Sequence, residues 1–268
     1  MPTPPLPFRA CKNSIPVISK KTIDYLGEEL VGDFCPKAMQ TPMAIDIERF
    51  VQSYLGVEQD FQYLTNNGVY LGMTVFNDTS RLPVYNPETG QAEYISVRAG
   101  TVIIDKSLLK EGNENKYRFT MGHEGSHCIL HSDYFAFNPD QTSLSGHSDV
   151  PLFRCKIADS GDEKRKPVSR WTYDDRMEWQ ANRLSSAILM PRLMVCRLVA
   201  DSLPRTKEPF ERGARDAFLD RMVLLIAGTF EVSRSAAAYR LRDLGLIDRK
   251  LNPDILSEMI RKRDVVSA

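Results

Sequence analysis

The chain contains the stretch His123-Glu124-Gly125-Ser126-His127, in which two histidines lie four residues apart and a glutamate follows the first. On an α-helix, residues four apart lie on one face about one turn apart, so both imidazole rings can reach a single ion. Glu124 lies one residue round from the first histidine and is placed to accept a proton from water on that ion. The spacing predicts a helix that carries part of a zinc-hydrolase site.

The residues around this stretch have the pattern of a helix that lines a site. Projected at about 100° per residue, Thr120, Glu124 and His131 fall in the same arc as the two histidines of the motif. Gly122 and Gly125 lie on the reverse face, where each costs roughly 1 kcal/mol relative to alanine. We therefore expect another element to approach the helix closely on that face. His131 shares the ligand face, and its role as a metal ligand or as a residue behind the ligands stays open at this point.

A third ligand is expected on a later helix. A metzincin would need glycine and histidine where this chain has Leu130 and Asp133, so that class is excluded. Glu178 fits the alternative pattern, on a helix predicted over residues 173–189. Asn182 lies one turn beyond Glu178, and its side-chain oxygen can accept the second N–H of a ligating histidine.

Two separate motifs occur in this order, RFTMGHEGSH at residues 118–127 and EWQAN at residues 178–182, and Leu189-Met190-Pro191 follows them. Together they resemble the ImmA/IrrE family of metallo-endopeptidases, and the similarity extends from about Ile15 to Ile247. Members of that family resemble thermolysin-like gluzincins in ligand order. The resemblance implies cleavage, in the cytoplasm, of a helix-turn-helix repressor of the XRE type, which relieves repression of a mobile element or a stress regulon.

The expected site combines these residues in named roles. His123, His127 and Glu178 are the predicted ligands of Zn²⁺, with Mn²⁺ or Fe²⁺ as alternative metals. Glu124 is the predicted catalytic base, which takes a proton from the attacking water and delivers it to the leaving amine.

Composition agrees with such an enzyme. The 268 residues contain 35 basic and 35 acidic side chains, so the overall charge gives no reason to expect binding to nucleic acid or to a membrane. No apolar stretch is long enough to span a bilayer, and the N-terminus lacks the pattern of a signal peptide. The five cysteines are odd in number and contain no Cys-x-x-Cys pair, which is typical of free thiols in a reducing compartment. We expect a cytoplasmic location.

The predicted fold class is α+β. Residues 1–14 are predicted to form a proline-rich flexible arm, residues 15–200 a zincin-like metallopeptidase core with a small mixed or antiparallel sheet, and residues 201–268 a helical C-terminal module. Strand signals lie on both sides of a turn at residues 66–68 and of a second turn at residues 86–90.

The segment between the two ligand helices, residues 132–172, is polar and carries few periodic signals. It is either a disordered excursion or the rim of a substrate cleft. Within it, residues 153–157 could form an edge strand, to which an extended peptide can add by main-chain hydrogen bonds.

The C-terminal module has a helix-turn-helix-like pattern, with Gly228 as a candidate helix end and Ser233 as a candidate cap. From residue 215 onward, ten Lys or Arg face eight Asp or Glu, a surplus of two that argues against direct nucleic-acid binding. We expect a module that packs on the peptidase or grips its protein substrate through Arg240 and Arg242. The alternative is a DNA-binding or protein-binding regulator.

Overall fold

The computed structural model describes residue 15 and residues 17–135, 152–156, 170–202 and 212–247. Within these ranges the chain forms seven α-helices and six β-strands, which confirms the predicted α+β class. No helix in this part of the chain has both the length and the apolar character that crossing a membrane requires. The predicted N-terminal arm and most of the 132–172 segment lie outside the described residues.

The helices and strands alternate in groups along the chain. The helices are α1 (Lys20–Phe34), α2 (Ile47–Arg49, continued by a π-helical turn over Phe50–Tyr54), α3 (Glu114–Phe135), α4 (Tyr173–Leu189), α5 (Arg192–Asp201), α6 (Arg212–Phe230) and α7 (Arg234–Asp243). The strands are β1 (Glu58–Gln62), β2 (Tyr70–Val75), β3 (Thr79–Asn86), β4 (Gln91–Val97), β5 (Thr101–Asp105) and β6 (Leu152–Lys156).

Four strands form the main sheet, in the order β1-β5-β2-β6. Strand β5 is buried at all five positions and pairs parallel with β1 and antiparallel with β2. The turn at residues 66–68 therefore joins two strands that do not pair with each other, because β5 lies between them. Strand β6 pairs antiparallel with β2 at the end of the sheet, so the predicted edge strand is present, one residue earlier than expected.

Strands β3 and β4 form a separate two-stranded antiparallel ribbon. Its turn lies at the predicted place, where Asn86 accepts a hydrogen bond from the backbone N–H of Glu88 and Gly90 adopts a positive φ of 68°. The ribbon and the sheet share one apolar cluster: Leu64, Met73, Val75, Leu82, Val84 and Ile103.

The two glycines on the reverse face of α3 are close-packing positions, as predicted. A Cβ atom at Gly122 would lie 2.6 Å from Ser185 Oγ, and one at Gly125 would lie 2.9 Å from Val51 Cγ2. Ser185 Oγ instead donates to the carbonyl of Phe119 across 3.1 Å. These contacts fix α3 against α4 on one side and against the π-helical turn on another.

Helix α4 has the predicted bounds because both of its ends are marked in the sequence. At the N-terminus, Asp175 N–H donates to Thr172 Oγ1 across 3.1 Å, and Thr172 N–H donates to Asp175 Oδ2 across 2.9 Å, a reciprocal cap. Farther along, Arg183 donates to Asp24 of α1 across 2.9 Å in a buried ion pair. The face of α4 that carries Glu178 is therefore held in a fixed rotation.

Contacts group the chain into two compact units, Met1–Leu26 with Asp46–Ser185 and Gly27–Ile45 with Ser186–Ala268. The grouping divides α1 and α4 within their lengths, because the end of each helix has its contacts in the second unit. Every predicted ligand and the predicted base belong to the first unit. The division into residues 15–200 and 201–268 rests on sequence pattern and stays a prediction.

In the second unit, the predicted end of α6 at Gly228 is wrong and the predicted cap of α7 at Ser233 is confirmed. Helix α6 continues past Gly228 to Phe230, because Phe230 extends the buried stripe of every fourth residue that begins at Phe218. Ser233 caps α7 as predicted, by accepting from Ala236 N–H across 3.1 Å.

Arg240 is fully buried rather than available to a substrate, so its prediction as a surface contact is wrong. Its Nε donates to the carbonyl of Met190 across 3.1 Å, and its Nη1 lies 3.8 Å from Asp243 Oδ2. The carbonyls at the C-terminal end of a helix lack helical partners, and the long Arg240 side chain of α7 reaches that of Met190, one residue after α4 ends. Arg242 is exposed, as expected.

Candidate metal centre

The structure brings the three predicted ligands together. His123 Nε2 and His127 Nε2 lie 2.9 Å apart, and Glu178 places one carboxylate oxygen 3.5 Å from the first ring and the other 3.6 Å from the second. All three donor atoms lie within 4.8 Å of one another. These residues can hold a metal ion.

The proton of His123 is placed by a hydrogen bond on the far side of its ring. His123 Nδ1 lies 3.0 Å from Asn182 Oδ1, which is the predicted contact. An amide oxygen can only accept, so the proton of the neutral ring is on Nδ1 and its Nε2 carries a lone pair. That nitrogen is the one that lies near His127 and Glu178.

The separations fit a tetrahedral divalent ion. Ligand atoms about 2.0–2.1 Å from such an ion are about 3.4 Å from one another. Both nitrogen-to-oxygen distances agree with this value, and the nitrogen-to-nitrogen distance of 2.9 Å is shorter by about half an ångström. Two nitrogen lone pairs and a carboxylate repel one another at such distances unless a cation lies between them, so the donor set is suited to one.

Burial keeps the two histidines in the form that binds metals. Desolvation lowers the pKa of His123 to about 3, with the neighbouring His127 acting in the same direction. Desolvation likewise lowers the pKa of His127 to about 3. Neutral imidazole is the ligand form, so neither ring must lose a proton to bind an ion near neutral pH. The Glu178 side chain is 33% exposed, which makes it the ligand that solvent reaches.

Glu124 is fully buried beside this site, and one of its carboxylate oxygens is held by a strand. Thr74 Oγ1, on β2, donates to Glu124 Oε2 across 2.6 Å. Glu124 Oε1 is buried with no hydrogen-bond partner among the described residues. Burial raises the pKa of Glu124 well above its ordinary value, although the bond from Thr74 lowers it. A cation beside the carboxylate would favour the ionised form that a proton acceptor requires.

Strand β2 approaches this carboxylate so closely that only glycine fits at one position. A Cβ atom at Gly72 would lie 2.5 Å from Glu124 Oε1 and 2.6 Å from Thr120 Cγ2. Gly72 and Thr74 are two residues apart on β2 and lie on the same face of the strand. No local sequence pattern marks either residue, because only the packing of β2 against α3 brings them to the site.

His131 lies behind the ligands rather than among them. Its Nδ1 lies 2.9 Å from His127 Nδ1, and its Nε2 lies 3.0 Å from Gln180 Oε1. Both of its nitrogens are therefore engaged on the side of His127 away from Glu178. Gln180 was not singled out in the sequence, although it lies two residues after Glu178 on the helix that was.

Three further side chains on the ligand helices, Cys128, Tyr134 and Tyr173, and the fourth histidine of the chain, His147, are not among the converging ligand atoms. Cys128 is a free thiol, and burial raises its pKa to about 12, as expected for a residue that is not a ligand. Tyr134 packs edge-on against Phe135 and lies 6.3 Å, ring to ring, from the exposed Tyr173. His147 lies outside the described residues.

Comparison with models of known protein families finds no match, and a search of curated protein sequences finds no significant similarity. The chemistry of the site therefore has to be argued from its own residues.

Proposed function

We propose that this chain is a zinc-dependent endopeptidase of the kind that the ImmA/IrrE resemblance implies, with a zincin-like core. The observation that carries the proposal is a convergence of three donor atoms beside a buried carboxylate with an unpartnered oxygen, Glu124 Oε1. A structural glutamate would be expected to have both oxygens satisfied, because an unpaired buried acceptor costs about 1–3 kcal/mol. An oxygen kept open beside a ligand cluster is suited to a water molecule that will react.

Each residue then has a chemical task. His123, His127 and Glu178 would hold Zn²⁺, which when bound would supply a Lewis acid for the scissile carbonyl and for the attacking water. Glu124 Oε1 takes the proton of the attacking water and afterwards delivers it to the leaving amine. Thr74 holds the other oxygen of that carboxylate, so the base keeps its orientation through the cycle.

The edge of the main sheet offers a place for the substrate backbone. Strand β6 pairs with β2 on one side only within the described sheet. Strand β2 carries Gly72 and Thr74, which approach Glu124, and neighbouring strands are about 4.8 Å apart. An extended peptide that adds to β6 would lie two strand spacings, about 10 Å, from β2, held by main-chain hydrogen bonds.

The class of substrate in this proposal comes from the resemblance. It is a helix-turn-helix repressor of the XRE type, cleaved in the cytoplasm, and α6 with α7 is the helix-turn-helix-like module that supports the peptidase or grips that repressor. Zn²⁺ is the metal proposed, with Mn²⁺ or Fe²⁺ as alternatives for the same nitrogen and oxygen donors.

The decisive variant is Glu124→Gln, which keeps the shape of the side chain and removes the base. Purified protein loaded with Zn²⁺ should bind a repressor encoded beside its gene and cleave it. Glu124→Gln should retain metal and repressor binding while its cleavage rate falls at least about 100-fold. Glu114→Gln, an exposed glutamate on the same helix, is the matched control and should cleave at the wild-type rate.

Cleavage by Glu124→Gln at the wild-type rate would remove the proposed mechanism. If wild-type protein cleaves no repressor but binds a specific DNA duplex with steep salt dependence, the chain is a DNA-binding regulator instead.

A further inference from the structure

A chain of buried hydrogen bonds leads away from His127, and the proposed reaction does not use it. It runs from His127 Nδ1 to His131 Nδ1 across 2.9 Å, and from His131 Nε2 to Gln180 Oε1 across 3.0 Å. All three side chains are fully buried. In such surroundings a polar atom without a suitable partner costs about 1–3 kcal/mol. This series of hydrogen bonds therefore strongly favours one set of proton positions on the two imidazole rings.

The amide at the end of the chain decides that assignment. Gln180 Oε1 can only accept, so His131 carries its proton on Nε2 and a lone pair on Nδ1. That lone pair must receive a proton from His127 Nδ1. The remaining nitrogen of His127, Nε2, is left with a lone pair, and Nε2 is the atom that lies near His123 and Glu178.

We propose that His131 and Gln180 are positioning residues of the metal centre, which hold His127 in the tautomer and ring orientation that bind the ion. The proposal rests on the proposed metal site and assigns it two further residues. Asn182 does the same directly for His123. Both ligand histidines are thus oriented by an amide of α4, one in direct contact and one through His131.

The use of amides rather than carboxylates as acceptors affects how tightly the site binds a metal ion. A carboxylate that accepts from a ligating histidine raises the basicity of the ring and tightens metal binding. Gln180 and Asn182 are neutral acceptors, so they orient the rings without adding charge. Replacing Gln180 with Glu should therefore leave metal binding intact or strengthen it, whereas removing the acceptor should weaken it.

The sharpest test compares His131→Asn with His131→Leu. Asparagine and leucine share a side-chain skeleton of four heavy atoms branched at Cγ, and the Oδ1 of asparagine occupies nearly the position of the Nδ1 of histidine. The first variant therefore keeps an acceptor for His127 Nδ1, and the second removes it. The measurements are Zn²⁺ affinity by competition with a chromophoric chelator, the visible absorption spectrum of the Co²⁺-substituted protein, and the melting temperature of the metal-free protein.

The positioning role predicts a particular order of affinities. His131→Asn should bind Zn²⁺ within about threefold of wild type and keep its Co²⁺ spectrum, whereas His131→Leu should bind about 10–100-fold more weakly with an altered spectrum. A role in packing alone predicts the reverse order, because leucine suits a buried site better than asparagine does. Equal Zn²⁺ affinities in wild type and His131→Leu would overturn the proposal.

A second pair of variants tests the same chain from its other end, including the case in which a His131 variant does not fold. Gln180→Glu keeps the acceptor and should bind Zn²⁺ at least as tightly as wild type, and Gln180→Met should bind it more weakly. If wild-type protein binds no divalent ion, the proposed function and this inference both fall. If wild type binds Zn²⁺ and cleaves, and Gln180→Met does so with equal affinity, only the positioning role falls.

Discussion

Helices α3 and α7 both bury ionisable side chains, but their polar atoms are arranged differently. In α3, His123, His127 and Glu124 direct nitrogen lone pairs and a carboxylate oxygen into one small region. In α7, Arg240 donates to a backbone carbonyl and lies beside Asp243. Burial alone therefore does not mark a functional site. What distinguishes α3 is that its donor atoms converge with Glu178, and that one buried oxygen beside them, Glu124 Oε1, has no hydrogen-bond partner among the described residues.

The first prediction concerns the stability of the metal-free protein at low pH. Desolvation lowers the pKa values of His123, His127 and His131 to about 3, below the ordinary value of 6.5. Between these values the unfolded chain binds protons that the folded chain does not, so the stability of metal-free protein should fall as the pH decreases below about 6.5. The slope is about 1.4 kcal/mol per pH unit for each histidine protonated on unfolding.

Urea unfolding of chelator-treated protein between pH 7.5 and pH 5 measures this slope. Above about pH 7 these histidines are neutral in both states and should contribute nothing. A free energy of unfolding that stays constant down to pH 5 would contradict the neutral, buried state of the α3 histidines.

The second prediction concerns the buried cation of α7. Arg240→Met should lower the free energy of unfolding by about 3–5 kcal/mol, because it removes a buried cation from beside the Asp243 carboxylate and the donor of the bond to the Met190 carbonyl. Arg242→Met, at an exposed position two residues away, is the matched control and should change stability by about 0.5 kcal/mol or less. Comparable losses in both variants would mean that α7 is not anchored through Arg240.

The third prediction tests the close approach of β2 to the base. Gly72→Ala introduces a Cβ atom where Glu124 Oε1 and Thr120 lie, so it should displace the carboxylate and cost about 1–3 kcal/mol of stability. Zn²⁺ content should remain, because no ligand is touched, while cleavage should be lost. Normal cleavage by a folded Gly72→Ala protein would show that Glu124 can act from another position.

The smallest expected effect is at a glycine without such a neighbour. Gly228 lies inside α6, and a Cβ atom there would meet nothing within 4 Å. Gly228→Ala should therefore stabilise the protein by about 0.5–1 kcal/mol through helix propensity. Thermal unfolding of Gly72→Ala and Gly228→Ala, measured together, distinguishes the steric effect of a Cβ atom beside Glu124 from the gain in helix propensity in α6. Destabilisation by Gly228→Ala would show that this face of α6 is more crowded than the structure indicates.

Local patterns were sufficient to predict the parts of the site that lie on one helix. The four-residue spacing of the histidines and the one-turn spacing of Glu178 and Asn182 are properties of a helix, and the ends of α4 are marked by capping and proline signals. Thr74 could not be found in this way, because it reaches Glu124 through strand register across 50 residues of sequence. His131 stayed ambiguous because its role depends on Gln180, which is on another helix.

The same limit explains two differences between expectation and structure, one at Arg240 and one at the turn of residues 66–68. Arg240 looked like a surface cation because Arg234 and Arg242 lie near it in the sequence, and its partner, the carbonyl of Met190, leaves no trace in the side-chain pattern. The turn at residues 66–68 has the chemistry of a tight hairpin, but which strands pair was decided by β5, about 35 residues later. Contacts between residues close in the sequence could be predicted, whereas contacts between residues far apart in the sequence could not, whatever the residue types.

Helix α4 concentrates three tasks in residues 178–182: one ligand and the two amides that orient the others. A single residue inserted inside this segment would rotate everything beyond it by about 100°, so at least one of the three side chains would leave the site. An insertion in the exposed turn at residues 86–90 would only lengthen a loop, at a cost of a few tenths of a kcal/mol. In a library of insertion variants, we therefore expect changes of length to be rejected first in these five residues.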